Sequence, residues 1–253
     1  MNRSVTVSVV SHGHGNDILQ LLEDMALLAA NDVAKVIITL NVPEELLTDA
    51  IRSKVWPFNV EVILNKAPLG FGGNHNQAFA LCQTPFFCVV NPDIRFRRNP
   101  YPDLLGVLQS PGVGCAYPMQ STGCGEPCDL AREIPTPMAL MRRHLMPGYR
   151  QKAQPREWIN GSFMLFSSHV YARLKGFDQR FFMYCEDVDI CLRLRKQGFS
   201  LILSAGACVE HRGCHASRRQ LRHLSWHLAS LVRLWFLMRC GAYRSTRDVK
   251  AVF

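Results

Sequence analysis

Acidic residues almost vanish from the end of this chain. From Arg212 to Arg247 arginines recur with scarcely any Asp or Glu, whereas the first 90 residues are nearly balanced. The net charge of +9 is therefore a property of the C-terminal end, and it implies an anionic partner: nucleic acid, a phospholipid surface or a nucleotide-bearing substrate. No internal repeat, low-complexity segment or clean linker interrupts the 253 residues, which suffice for one large domain or two small ones. No charged segment followed by an apolar signal core precedes residues 5–10 (VTVSVV), which instead carry a strand pattern. The ten cysteines are accordingly read as cytosolic thiols; Cys82, Cys88, Cys191 and Cys208 lie in apolar runs where a thiol acts as a small hydrophobe. Cys208, His211, Cys214 and His215 are closely spaced, but no second CxxC-like pair completes a structural zinc site.

What is present is a strand–helix alternation. Strands are expected at 5–10, 35–40 (KVIITL), 59–64 (NVEVIL) and 86–91 (FFCVVN), with helices at about 17–30 and 43–51. A glycine-broken turn, SHGHGND, follows the first strand, and a glycine-rich loop, LGFGGNHN, opens a further helix. This order predicts an α/β fold with a mainly parallel central sheet flanked by helices. Residues 110–156 read as irregular, with Cys124, Cys128 and the basic MRRH at 141–144. Strand character returns at 158–166 (WINGSFMLF) and at 199–204, followed by a polar loop, and 168–175 fits a short helix. Over 217–240 the leucines 221, 224, 228 and 231, with Val232 and Trp235, recur at helical spacing away from Arg222, Trp226 and Arg233. Its arginines and histidines exclude a bilayer-spanning helix; an interfacial helix and a helix packed on its own domain both remain open.

The most informative stretch is GFDQRFFMYCEDVDICLRLRKQGF, residues 176–199. Acids at its start, bases at its end and a terminal glycine mark a capped helix. Asp187, Ile190, Cys191 and Leu194 share a face, which predicts that Asp187 is carried to the rim of a cavity as a candidate general base. Glu186, Asp189 and Arg193 fall on a neighbouring face and can pair. Dipole complementation alone would also account for the three acids. Earlier, Asn91-Pro92-Asp93 ends the buried strand, and an Asp there suits a divalent cation that keeps water and phosphate as its other ligands.

The succession SVVSHGH, LGFGGNHN, VVNPDI, WINGSFML and GFDQRFFMYCEDVDICLRL is similar to the inverting family 2 glycosyltransferases of the GT-A fold. It most resembles bacterial rhamnosyltransferases that build O-antigen or cell-wall linker glycans on polyprenyl-diphosphate acceptors. The resemblance implies a glycosyltransferase domain over 1–216, with a nucleotide-sugar half (1–93) and an acceptor half (94–216), then a basic amphipathic segment over 217–253. It implies Mg²⁺ or Mn²⁺ held by Asp93 and His211, with Asp187 as catalytic base. Ser11, His12, Asn41, Gly70, Phe71, Gly72 and Asn76 would line the nucleotide sugar together with Asp93. Trp158, Gly161 and Glu186 would line the acceptor. The implied donor is dTDP-rhamnose, the acceptor a polyprenyl-diphosphate-linked saccharide, and the location an anionic membrane surface, the cytoplasmic face of a bacterial inner membrane. Nucleic acid is not among the implied partners, since a polyanion binder gains nothing from two aspartates directed into one cleft. The chain departs from the family at Leu40-Asn41, where an aspartate usually reaches the nucleobase, and at Ala67-Pro68, where an asparagine often precedes the glycine-rich segment.

Overall fold

The computed structural model describes residues 3–122, 131–132, 134–145, 158–213 and 221–243. Strand β1 (Val5–Ser11) is buried along nearly its whole length, as a strand covered on both faces must be. Helix α1 (Gly15–Leu28) crosses back over the sheet and buries Ile18, Leu21, Leu22 and Met25, which share one helical face. Strand β2 (Val33–Leu40), helix α2 (Glu45–Arg52) and strand β3 (Asn59–Leu64) repeat the unit. A helical crossover returns the chain to the same end of the sheet, so β1, β2 and β3 pair in parallel. Helix α3 (Phe71–Phe79) then leads to β4 (Phe86–Val90), which pairs in parallel on the other side of β1. Growth of the sheet therefore reverses between β1 and β4. In open α/β sheets, ligands bind at the carboxyl ends of the strands flanking such a reversal.

Beyond β4 the sheet becomes mixed. The chain continues through β5 (Ile94–Arg95), α4 (Tyr101–Leu108), β6 (Val113–Ser121), β7 (Ala131–Arg132) and α5 (Pro137–Leu145). It goes on through β8 (Trp158–Ile159), β9 (Phe163–Ser167), α6 (Ser168–Arg173), α7 (Glu186–Lys196), β10 (Ser200–His211) and α8 (Leu221–Arg239). The main sheet runs β3-β2-β1-β4-β9-β6-β10-β5, with β9 antiparallel to both its neighbours and β5 antiparallel to the end of β10. Alternate residues of β4 divide the core: Cys88 and Val90 face the layer of α1 and α4, while Phe87 and Val89 face that of α6, α7 and α8.

Four expectations change. Residues 110–156 are not wholly irregular, since β6 and α5 lie within them; Cys124 and Cys128 are outside the described residues. The polar loop expected after residue 204 is instead the continuation of β10 to His211. A register shift between Ser204 and Cys208 lets the strand resume with Ala207 and Val209–His211 buried and Cys208 exposed. WINGSFMLF is two strands, because Asn160–Ser162 forms a turn between β8 and β9. Finally, α8 packs on the core through Leu231 and Leu234, with Trp235, Leu237 and Met238 partly buried, so the sequence stripe is only partly its inner face.

Candidate active site

Asp93 follows β4, and His211 closes β10. The antiparallel pairing of His211 with Ile94 draws these two distant segments together. His211 Nε2 lies 3.3 Å from Asp93 Oδ2, and the Arg212 amide donates to the Asp93 carbonyl at 3.1 Å. Gly213 completes the approach: a Cβ there would stand 1.9 Å from Asp93 Oδ2. Burial opposes charge on Asp93, but the hydrogen bond and charge of His211, with a smaller contribution from His14, outweigh it and hold the carboxyl below its usual range. Its Oδ1 is buried and meets no donor outside its own residue. An under-satisfied carboxylate oxygen beside an imidazole is a donor set that fits a divalent cation, with substrate phosphates and water filling the remaining positions. Among the described residues no third His, Cys, Asp or Glu joins them; Cys214 and His215 lie outside those residues.

The segment carrying Asp93 is braced by α1. Arg95 is buried, donating to Asp17 Oδ1 at 2.7 Å, to Gln20 Oε1 at 3.1 Å and to the Pro92 carbonyl at 3.0 Å. Asp24 accepts the Phe96 amide at 3.0 Å. Arg95 belongs to no motif of the sequence. A charged residue alternating with Ile94 and Phe96 immediately after Asp93 was the available signal, since an inward-facing Arg must be paired.

On the nucleotide side, the hydroxyl of buried Ser11 accepts the His14 amide at 3.1 Å, and the His12 amide donates to His14 Nδ1 at 3.0 Å. This ordered turn places exposed His12 and His14 beside the N-terminus of α1. Asn41 is engaged internally. Its Oδ1 accepts the Leu69 amide at 2.8 Å and Asn65 Nδ2 at 2.9 Å, and its Nδ2 donates to the Leu69 carbonyl at 3.0 Å. Asn65 reaches Asn74 Oδ1 at 2.7 Å, so three amides fix the glycine-rich loop. Asn76 is likewise committed: its Oδ1 accepts the Phe177 amide and the Tyr171 hydroxyl at 2.9 and 2.8 Å, and its Nδ2 donates to the Phe177 carbonyl at 2.8 Å. Both asparagines, expected against the nucleotide, hold backbone instead, because their amides are already matched with donors and acceptors.

The glycine-rich loop also contacts the second half of the chain. The Phe71 amide donates to the Phe182 carbonyl at 3.0 Å, an approach only Gly70 permits, since a Cβ there would lie 2.3 Å from that oxygen. Gly72 packs on Phe177, and the Phe71 ring lies against Gly161. His75, its Nδ1 2.8 Å from Ser8 Oγ, supports Phe71 edge-on at 4.5 Å; burial pushes its pKa down to about 3.

Helix α7 starts from a strained entry: Tyr184 and Cys185 are both left-handed, at φ 71° and 63°. Ser230 Oγ of α8 donates to the Met183 carbonyl at 2.9 Å, and the Tyr184 hydroxyl lies 2.8 Å from His223 Nδ1, so α8 holds this entry in place. Asp187 is half-buried, accepting the Val188 amide at 2.8 Å and the Gly161 amide at 3.3 Å. One residue on, the Ser162 carbonyl accepts the Asn91 amide at 2.8 Å. The turn at 160–162 therefore joins Asp187 on one side to the Asn91-Pro92-Asp93 segment on the other. Of the face expected to carry Glu186, Asp189 and Arg193, both acids are buried. Asp189 pairs with Arg193 at 2.7 Å and accepts the Tyr243 hydroxyl at 2.7 Å. Glu186 Oε2 meets no partner, and burial, then the charges of Asp187 and Asp189, push its pKa far above the ordinary carboxylate range. Trp158 is only 9% exposed, so little of its ring is open to a ligand.

Among known proteins, the chain is 27% identical to "Rhamnosyltransferase WbbL" of Escherichia coli over 98% of this chain and 99% of that protein. It is 28% identical to a Mycobacterium tuberculosis N-acetylglucosaminyl-diphospho-decaprenol L-rhamnosyltransferase over 67% of this chain and 64% of that one. The fold is shared with a mannosyltransferase from Pyrobaculum calidifontis solved with GDP-Man and Mn²⁺ (TM-score 0.63, 15% identity, 91% of this chain and 64% of that one). It is also shared with glucosyl-3-phosphoglycerate synthase from M. tuberculosis, solved with Mn²⁺ and UDP (TM-score 0.59, 17% identity, 95% and 81%). These are GT-A folds, and the curled mixed sheet described above is one too. With residues 3–226 matching the model described as "Glycosyltransferase like family 2", the chain belongs to that glycosyltransferase family.

Proposed function

We propose that this glycosyltransferase moves L-rhamnose from dTDP-rhamnose, with inversion, onto a polyprenyl-diphosphate-linked saccharide at the cytoplasmic face of a bacterial inner membrane, in O-antigen or cell-wall polysaccharide synthesis. The carrying observation is the turn at 160–162, which ties Asp187 to the segment bearing Asp93. The two rhamnosyltransferase relatives, one of them named for a decaprenol-diphosphate-linked N-acetylglucosamine, support the donor sugar and the acceptor class.

In this reading the diphosphate lies at the N-terminus of α1, whose first amides have no intrahelical partner and favour anions. Asp93 and His211 would hold Mg²⁺ or Mn²⁺, which supplies countercharge to the leaving diphosphate when bound. The Gly161 amide orients the Asp187 carboxylate toward the acceptor hydroxyl. Asp187 takes that hydroxyl's proton while the oxygen bonds to the anomeric carbon and the bond from that carbon to the diphosphate breaks. Asn41 and Asn76 act indirectly, by fixing the loop and the 176–177 backbone.

The test is a panel of nucleotide sugars offered with a polyprenyl-diphosphate N-acetylglucosamine analogue, with and without chelator, to the native chain and to Asp93→Ala. Expected is transfer from dTDP-rhamnose that chelation abolishes and that Asp93→Ala reduces by at least about a hundredfold. Full turnover in excess chelator would remove the metal from the reading, and transfer from a different nucleotide sugar alone would replace the donor.

A further inference from the structure

Helix α8 carries large apolar side chains on two sides, yet only one of them is covered. Ser230, Leu231 and Leu234 are buried, and Trp226 packs against Phe182 with ring centroids 5.0 Å apart. Trp235 donates its indole N–H to the Pro135 carbonyl at 2.6 Å. The tryptophans therefore face the protein. On the opposite side Leu224, Leu228, Val232 and Phe236 follow one another at four-residue spacing and are 53%, 54%, 62% and 65% exposed. They make a continuous apolar stripe about 18 Å long. A contiguous exposed apolar stripe marks an interaction surface, and among the described residues nothing covers this one.

The charges choose the partner. Residues 221–239 contain no Asp or Glu, and Arg233 and Arg239 are exposed beside and at the end of the stripe. A second copy packed on this stripe would bring arginine toward arginine, whereas an anionic bilayer would meet both. The helix does not qualify as a membrane span, so it would lie along the surface. We infer that the Leu224–Phe236 stripe of α8, rimmed by Arg233 and Arg239, docks flat on an anionic phospholipid bilayer and so presents the entry to α7 to a membrane-borne acceptor. The second half of this inference rests on the function proposed above; the docking itself does not. The link is direct, because α8 touches that entry through Ser230, His223 and Trp226.

The test uses the full chain with vesicles of phosphatidylcholine alone or with 30% phosphatidylglycerol, read by flotation. Native protein should float with the anionic vesicles. Leu228→Glu with Val232→Glu, both at exposed positions, should lower partitioning by at least about tenfold. Arg233→Gln and Arg239→Gln should lower it about fivefold each, on the anionic vesicles only. The double glutamate variant should keep its transfer rate on a short water-soluble acceptor and lose rate on the same saccharide held in vesicles. Undiminished flotation of that variant, or native protein that ignores anionic vesicles, overturns the proposal. So does native dimerisation, seen by light scattering, that the variant abolishes. Native protein that floats but transfers to neither acceptor leaves the docking standing and overturns the proposed function.

Discussion

Two buried polar sites, the asparagine cluster of the half before Asp93 and Glu186 at the head of α7 in the half after it, are handled in opposite ways. In the first, Asn41, Asn65, Asn74 and Asn76 are matched donor to acceptor above parallel strands whose buried residues are apolar apart from Thr6, Ser8, Ser11 and Thr39. In the second, Glu186 Oε2 is buried without a partner, and consecutive left-handed residues lead into the helix that carries it. A fully satisfied network rigidifies, while unsatisfied carboxylates beside a strained turn are found where a site is meant to act on something else. The difference teaches that the asparagine cluster of the first half builds a fixed cradle, whereas the head of α7 in the second half keeps the reactive carboxylates.

The largest effect should come from breaking the second half at its reactive group. Asp187→Asn keeps the shape and removes the ability to accept a proton, so kcat should fall by about 10² to 10⁴. Donor affinity, measured by calorimetry, should stay within a few-fold. A near-normal rate would make Asp187 a cap for α7 and place the base elsewhere.

Two residues along, the same substitution should be read in stability. Asp189 is buried against Arg193 and Tyr243, so Asp189→Asn should cost about 2–3 kcal/mol in denaturant unfolding, the scale of a charge-assisted hydrogen bond. A large loss of kcat without loss of stability would blur the distinction between the two aspartates.

How much of this could be read from the chain depended on range. The β1–β4 half was legible because its periods are local: VTVSVV, KVIITL and FFCVV each declare a strand, and the glycine-rich loop declares a helix start. Asp187 at the head of α7 was legible for the same reason. The Asp93–His211 contact was not derivable from spacing, since it depends on β10 running on past Ser204 through a register shift that places His211 opposite Ile94. The proposed burial of Asp187's face was sound for Ile190, Cys191 and Leu194. The burial of Glu186 and Asp189 was missed because their cover comes from elsewhere, Tyr243 being 54 residues on from Asp189. The outer face expected of α8 was also displaced: sequence spacing cannot tell which of two apolar arcs meets the core. The side chain of Arg222 lies outside the described residues.

Breaking the first half should give a smaller, purely structural loss. Asn65→Ala leaves Asn41 Oδ1 with one donor fewer and Asn74 Oδ1 without the Asn65 amide, at a cost of about 1–2 kcal/mol in unfolding free energy. Because Asn41 and Asn74 hold the backbone at 69–70, the KM for the donor should rise while kcat at saturation changes little. If stability is untouched, the amides are not the cradle's fixing element.

The smallest effect should be a gain, and it sharpens the contrast most directly. Burial and the neighbouring charges of Asp187 and Asp189 raise the Glu186 pKa from its ordinary 4.5. A carboxyl whose pKa is higher folded than unfolded contributes its stability fully below the unfolded value and loses it as pH climbs through the folded one. Native protein should therefore lose stability as pH rises from about 4.5, and Glu186→Gln, which cannot ionise, should flatten that slope. The variant should match the native chain near pH 4 and exceed it near neutral pH. Thermal unfolding of both proteins between pH 4 and 8 measures this. If Glu186→Gln is instead less stable at neutral pH and equal in acid, the carboxylate is charged and held in the native state, and the two sites treat their buried polar groups alike.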